Sequence, residues 1–117
     1  MLQLNHKKLE VWKSSVGLVT EVYLITKTFP KEEMFGLTNQ LRRAAISVTS
    51  NIAEGSARKS NIERKRFYEI SRASLVEIDS QIEIAIRLQY LKKEHEEKID
   101  VLINQVFAML AKLISKT

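Results

Sequence analysis

The sequence predicts an all-α fold: an antiparallel, up-down-up-down four-helix bundle forming a single domain over residues 1–117. Three observations carry this reading. Apolar residues recur at steps of three and four along four separate stretches. Gly and Pro, the residues that punctuate chains, number only three and one. No stretch sustains period-two alternation, and no Asn-Gly or Asp-Gly hairpin turn occurs. Four amphipathic helices with short connections bury their stripes most simply as a bundle. At 117 residues the chain suits one domain with a core that needs no staples.

The first helix is expected from about Lys7 to Thr28. Leu9, Trp12, Val16, Val19, Tyr23 and Thr26 form a heptad seam, and a second row, Val11, Leu18, Val22, Ile25 and Phe29, widens the stripe to two neighbours. Gly17 inside it costs about 1 kcal/mol relative to Ala, so a close helix approach is expected there. Pro30 ends this helix. The second runs from about Leu37 to Glu54, with Leu41, Ala45, Val48 and Ile52 inward and Gly55 as a left-handed C′ residue closing it. The third opens on "SNIE", Ser60 as N-cap with Glu63 three residues on. Phe67, Ile70, Ser74, Ile78, Ile82, Ala85 and Leu88 carry its inward face to about Tyr90. "LKKEHEEK" reads as a charged turn into a fourth helix. Its seams are Ile99, Leu102, Val106, Met109, Leu113 and Ile103, Phe107, Leu110, Ile114.

Composition narrows the chemistry. Without Cys there are no disulfides, thiolate nucleophiles or Cys-based zinc sites, which fits a reducing, cytoplasmic setting. "MLQLNHKKLEVWK" has no continuous apolar run behind its charges, so no signal peptide is expected, and no window is long and apolar enough to span a membrane. His6 and His95 lack a Glu three residues before them, the pairing that di-iron bundles use. No His-Glu-x-x-His, phosphate loop or nucleophile elbow occurs. No catalytic residue, metal or cofactor is expected.

Charge is the informative feature. Residues 42–66 hold seven basic and two acidic side chains, a local +5, while the rest of the chain nets to zero. Arg58 and Lys59 follow the second helix, where its dipole favours cations. Arg64, Lys65 and Arg66 lie in the first turns of the third, where the dipole opposes them. From residue types alone, two readings stand: a solvated face, or a surface for an anionic polymer whose phosphates release counterions on binding. Tyr68 is the candidate for stacking on bases, because Phe67 falls on the core row. A second stripe, Arg43, Ser47, Ser50 and Glu54 with Asn51 adjoining, reads either as close packing within the bundle or as a subunit interface.

The residues "FPKEE", "GLTNQLRRAAISV", "NIAEG" and the Ser74-Leu75-x-Glu77 pattern resemble the four-helix-bundle proteins encoded within intervening sequences of bacterial 23S ribosomal RNA genes, over about Lys7 to Leu91. Similar bundles include the accessory variability proteins of diversity-generating retroelements. The resemblance implies a bacterial, cytoplasmic, non-enzymatic bundle that self-associates as a ring, a homopentamer. Its basic residues would meet RNA or DNA without strong sequence preference. Matching positions are Arg42 and Arg43, Arg72, and the Asn51, Glu54, Gly55 motif. Ala73 stands where the family usually has Gly, which puts a close backbone contact there in doubt. The expected phosphate contacts are Arg42, Arg43, Arg58, Lys59, Arg64, Lys65, Arg66 and Arg72, and the expected subunit interface is Ser47, Ser50, Asn51 and Glu54. The alternative is an oligomeric scaffold docking a protein partner such as a reverse transcriptase.

Overall fold

The computed structural model describes residues 1–117, the side chain of Lys8 excepted. A 3₁₀ turn, Asn5–Lys8, leads into α1 (Glu10–Thr26). A second, Lys31–Glu33, precedes α2 (Leu37–Ala57), followed by α3 (Asn61–Arg87) and α4 (Lys93–Lys116). Among the described residues there is no strand, and no helix is long and apolar enough to cross a membrane. The helices form a square. Each of α1 and α3 packs on both α2 and α4, and among the described residues the backbones of the diagonal pairs do not approach each other. The result is the expected up-down-up-down bundle, elongated to 43 × 26 × 21 Å.

Inside the square, Leu18 and Val22 of α1 meet Leu41, Val48 and Ile52 of α2, Leu75 and Ile78 of α3, and Ile99, Val106 and Leu110 of α4; all are fully buried. Each such aliphatic side chain contributes about 1.5–3 kcal/mol by leaving water. On α1 the deeper row is Val11, Leu18, Val22 and Ile25, while Trp12, Val16, Val19 and Tyr23 are half-buried. The seam read from heptad steps therefore flanks the core, because α1 points its centre line across the square and not at one partner. Ser15 completes the buried row. Its hydroxyl donates to the Trp12 carbonyl (2.7 Å) and accepts from Thr49 (3.0 Å), so no polar atom is stranded.

Several expectations change. Gly17 makes no close helix approach: a Cβ built there meets nothing within 4 Å. Gly55 is not a C′ cap. It lies within α2, buried, with no positive φ, and an added Cβ would sit 2.7 and 2.9 Å from ring carbons of Tyr68 and 3.1 Å from the Arg64 carbonyl. It is glycine because α2 and α3 touch there. On α3, Ile70 and Leu88 are exposed and Phe67 half-buried, whereas Tyr68, Ser71 and Leu75 turn inward. The predicted row drifted toward the α2 edge of the helix. Phe67 reaches the rim where α2 has ended, and Leu88 lies beyond the last turn.

The ends of α3 follow local chemistry. The Ser60 hydroxyl accepts from the Glu63 amide at 3.3 Å, as the capping pattern requires. At the other end Gln89 takes φ 62°, and the Tyr90 amide bonds back to the Ala85 carbonyl, a left-handed termination at Gln89 where Gly would be usual. Helix α4 begins earlier than expected, at Lys93. The charged segment winds into helix with opposite charges one turn apart, Lys93 lying 3.7 Å from Glu96. Phe107, placed in a core seam, is exposed instead.

Candidate nucleic-acid interface

The α2–α3 connection is built by its own basic residues. Arg58 caps α2 in extended conformation, leaving its carbonyl outside the helix, and the Arg64 Nε–H donates to that carbonyl at 2.6 Å. The Arg58 guanidinium donates to Glu54 (3.0 Å) and lies 4.8 Å above the Phe67 ring; that of Arg66 lies 5.8 Å from the same ring. Lys59, Lys65 and Arg66 are exposed. Among the described residues, no carboxylate comes within 4.0 Å of Lys59, Arg64, Lys65 or Arg66. The one ion pair, Arg58–Glu54, is surface-exposed and worth at most about 0.5 kcal/mol.

Five cations thus share one end of the bundle. Three occupy the first turns of α3, where the helix dipole disfavours them. Repulsion among them is relieved by a single partly exposed Glu. Arg58 and Arg64 bond within the connection, but for Lys59, Lys65 and Arg66 fold stability gives no reason for the crowding. The surface aromatic is also different from the one expected. Tyr68 is buried, its hydroxyl 3.0 Å from that of Ser56, and cannot stack on a base. Phe67, with guanidinium groups over it, is the ring at the surface.

The other three candidate arginines lie elsewhere. Arg42 is half-buried, its Nε–H donating to Thr26 (2.9 Å) and its guanidinium 4.6 Å over Tyr23, so it ties α2 to α1. Arg43 is exposed, beside a cavity of about 370 Å³ that Asn39, Gln40, Ser47, Ser74 and Glu77 also line. Both stand more than 20 Å along the α2 axis from Arg58, at about 1.5 Å per residue. Arg72, half-buried, is turned about 80° around α3 from Arg64, so the two do not share one stripe.

The small stripe of α2 divides. Ser47 bonds Ser74 of α3 (2.8 Å), and the Asn51 amide donates to the Ser47 carbonyl and hydroxyl. Ser50 and Glu54 face outward. Sequence reading missed two acidic features. Glu21 of α1 is buried with its carboxylate 3.3 Å from Lys98 and 3.7 Å from His95, and Oε1 has no hydrogen-bond donor. Asp79 and Glu83 of α3 face Glu96, Glu97 and Asp100 of α4 across a shared groove. Their i, i+4 spacing on both helices was visible, but only the pairing of the two helices brings them together. Among the described residues no group of metal-ligating side chains converges.

A solved structure of a protein of unknown function from the S23 ribosomal protein family of Bacteroides thetaiotaomicron superimposes with a TM-score of 0.81. It is 21% identical, and the match covers 90% of this chain and 95% of that one, so it shares the fold. No curated protein sequence matches the chain. A sequence profile of the 23S rRNA-intervening sequence protein family matches residues 7–112. That span runs from the turn before α1 nearly to the end of α4, and the chain belongs to the 23S rRNA-intervening sequence protein family.

Proposed function

We propose that this protein is a non-enzymatic, self-associating bundle that holds RNA or DNA by its phosphates, with little preference for sequence. The observation that carries the reading is the set of cations at the α2–α3 end, four of which have no carboxylate within 4.0 Å. Arg58, Lys59, Arg64, Lys65 and Arg66 form the primary contact. Arg72 on α3 and the more distant Arg43 on α2 are secondary contacts, and Arg42 braces the α1–α2 seam away from the cluster. Family membership supports association into a ring, for which we propose a pentamer. The outward Ser50 and Glu54, with the Ser47–Asn51 edge, are the proposed contact between neighbouring subunits.

The test is a filter-binding titration of single-stranded RNA and duplex DNA at several salt concentrations. Five neutralised phosphates give a log–log salt slope of about −3.5 for single strands and −4.5 for duplex DNA per protomer. Affinity then falls about two orders of magnitude for single strands, and nearly three for duplex DNA, between about 50 and 200 mM salt. In the triple variant Lys59→Gln, Lys65→Gln, Arg66→Gln the slope shrinks by about 2 to 3. These three are chosen because, unlike Arg58 and Arg64, they make no hydrogen bond that caps a helix. Absence of binding at low salt overturns the proposal. Retention of a protein partner by that variant, with nucleic acid lost, assigns the cluster to nucleic acid and not to a docked protein.

A further inference from the structure

Around the square, backbone contact is sparsest along the α3–α4 seam. Two cavities lie along it, of about 380 and 290 Å³, and both are lined by Asp79 and Ile103, so they form one groove. One half is apolar. Leu75 and Ile103 make its floor, and Val76 and Phe107 rise at its sides, 55% and 43% exposed although both are large hydrophobic residues. The other half is acidic: Asp79, Glu83, Glu96, Glu97 and Asp100 line it against one cation, Lys93. Arg87 and Lys93 pair with Glu83 and Glu96. Among the described residues no cation comes within 4.0 Å of Asp79, Glu97 or Asp100.

We propose that this groove docks a cationic amphipathic helix of another protein, Lys or Arg over the carboxylates and apolar anchors between Val76 and Phe107. Charge decides the class of occupant. In a chain of net +5, this groove carries the opposite sign, so it repels phosphates of nucleic acid and of lipid headgroups alike. The floor and walls call for apolar side chains, which a bare polycation lacks. From Leu75 to Ile86 the groove extends about 16 Å along α3, three helical turns, enough for anchors at i, i+3 or i+4, and i+7. A cationic guest also relieves the repulsion among crowded carboxylates, so binding draws on both area and charge. The surface is separate from the basic end and does not depend on the nucleic-acid reading.

The probe is a fluorescein-labelled, amidated 14-residue peptide of Leu and Lys with its Leu on one helical face, titrated against the full chain by anisotropy. Its Leu/Glu counterpart is the control. The Leu/Lys peptide binds and weakens with salt, the Leu/Glu peptide does not bind, and amide chemical-shift changes fall on α3 and α4 along the groove. Asp79→Lys with Asp100→Lys weakens binding about tenfold or more. Phe107→Ser, which leaves the charges intact, weakens it as well, and the Lys59, Lys65, Arg66 triple variant binds as the parent does. The proposal is overturned if groove variants change affinity less than twofold, if shifts map elsewhere, or if both peptides bind alike. It also falls if concentration-dependent amide protection shows that a second copy of the chain already fills the groove.

Discussion

One substitution at two glycines should act with opposite signs. At Gly55, alanine would place a methyl 2.7 and 2.9 Å from Tyr68 ring carbons and 3.1 Å from the Arg64 carbonyl, all inside ordinary contact. The ring cannot swing away, because Tyr68 is buried and its hydroxyl is tied to Ser56 at 3.0 Å. Overpacking of this kind costs about 1–3 kcal/mol, and the better helix propensity of Ala returns about 1. Gly55→Ala should therefore destabilise by up to about 2 kcal/mol, the upper part of the range because neither the tied ring nor the backbone carbonyl can give way, lowering Tm by several degrees for a domain of this size. At Gly17 an added methyl meets nothing within 4 Å, so the propensity gain of up to about 1 kcal/mol stands alone and Tm rises. Urea unfolding followed by far-UV circular dichroism, at two protein concentrations to separate folding from association, measures both. Tyr68→Leu combined with Gly55→Ala should recover part of the loss, a coupling that only direct contact produces. Gly55→Ala as stable as the parent, or Gly17→Ala less stable, refutes the assignment of the two glycines.

Two further outcomes follow from single hydrogen bonds. The buried Ser71 hydroxyl donates to the Val48 carbonyl at 2.7 Å, so Ser71→Ala should cost about 1 kcal/mol by chemical denaturation, with α2–α3 amides exchanging faster. The Tyr90 hydroxyl donates to Glu33 at 2.8 Å, and that bond, then desolvation, raises its pKa above the ordinary 10.0. The neutral form is the one favoured by folding, so this contribution is complete below pH 10 and is lost as pH rises through the raised value. Absorbance titration at 295 nm should show a tyrosinate transition above the ordinary value that is lost in Tyr90→Phe and moved down in Glu33→Gln.

Helix number, order and most of the core were legible because burial on a helix repeats every 3.6 residues and the sequence keeps that repeat. Leu41, Ala45, Val48 and Ile52 were read correctly for this reason. Errors came where a residue's role depends on what lies across the seam. Periodicity could not tell Phe67 from Tyr68 near the end of α2, where one step around α3 separates the rim from the core. Gly55 looked like a terminator because glycine at a helix end usually is one, and only contact with Tyr68 gives the other reason. For the candidate site, the five-residue basic end was visible as local charge. Linear proximity also grouped Arg42 and Arg43 with it, which helix rise then carried away. The acidic groove was hidden because its two walls are far apart in sequence.

The joint between α2 and α3 differs in kind from the seam on the opposite side of α3. One is held by the close contact at Gly55, by paired serines and by a hydroxyl bonded to backbone, the other carries a trough between two like-charged walls. Thermal fluctuation will therefore part the bundle unevenly, with α4 lifting first and the α2–α3 hairpin persisting as the last cooperative unit. A molecule that breathes along one side while keeping its basic corner rigid confines its motion to the face where its carboxylates gather.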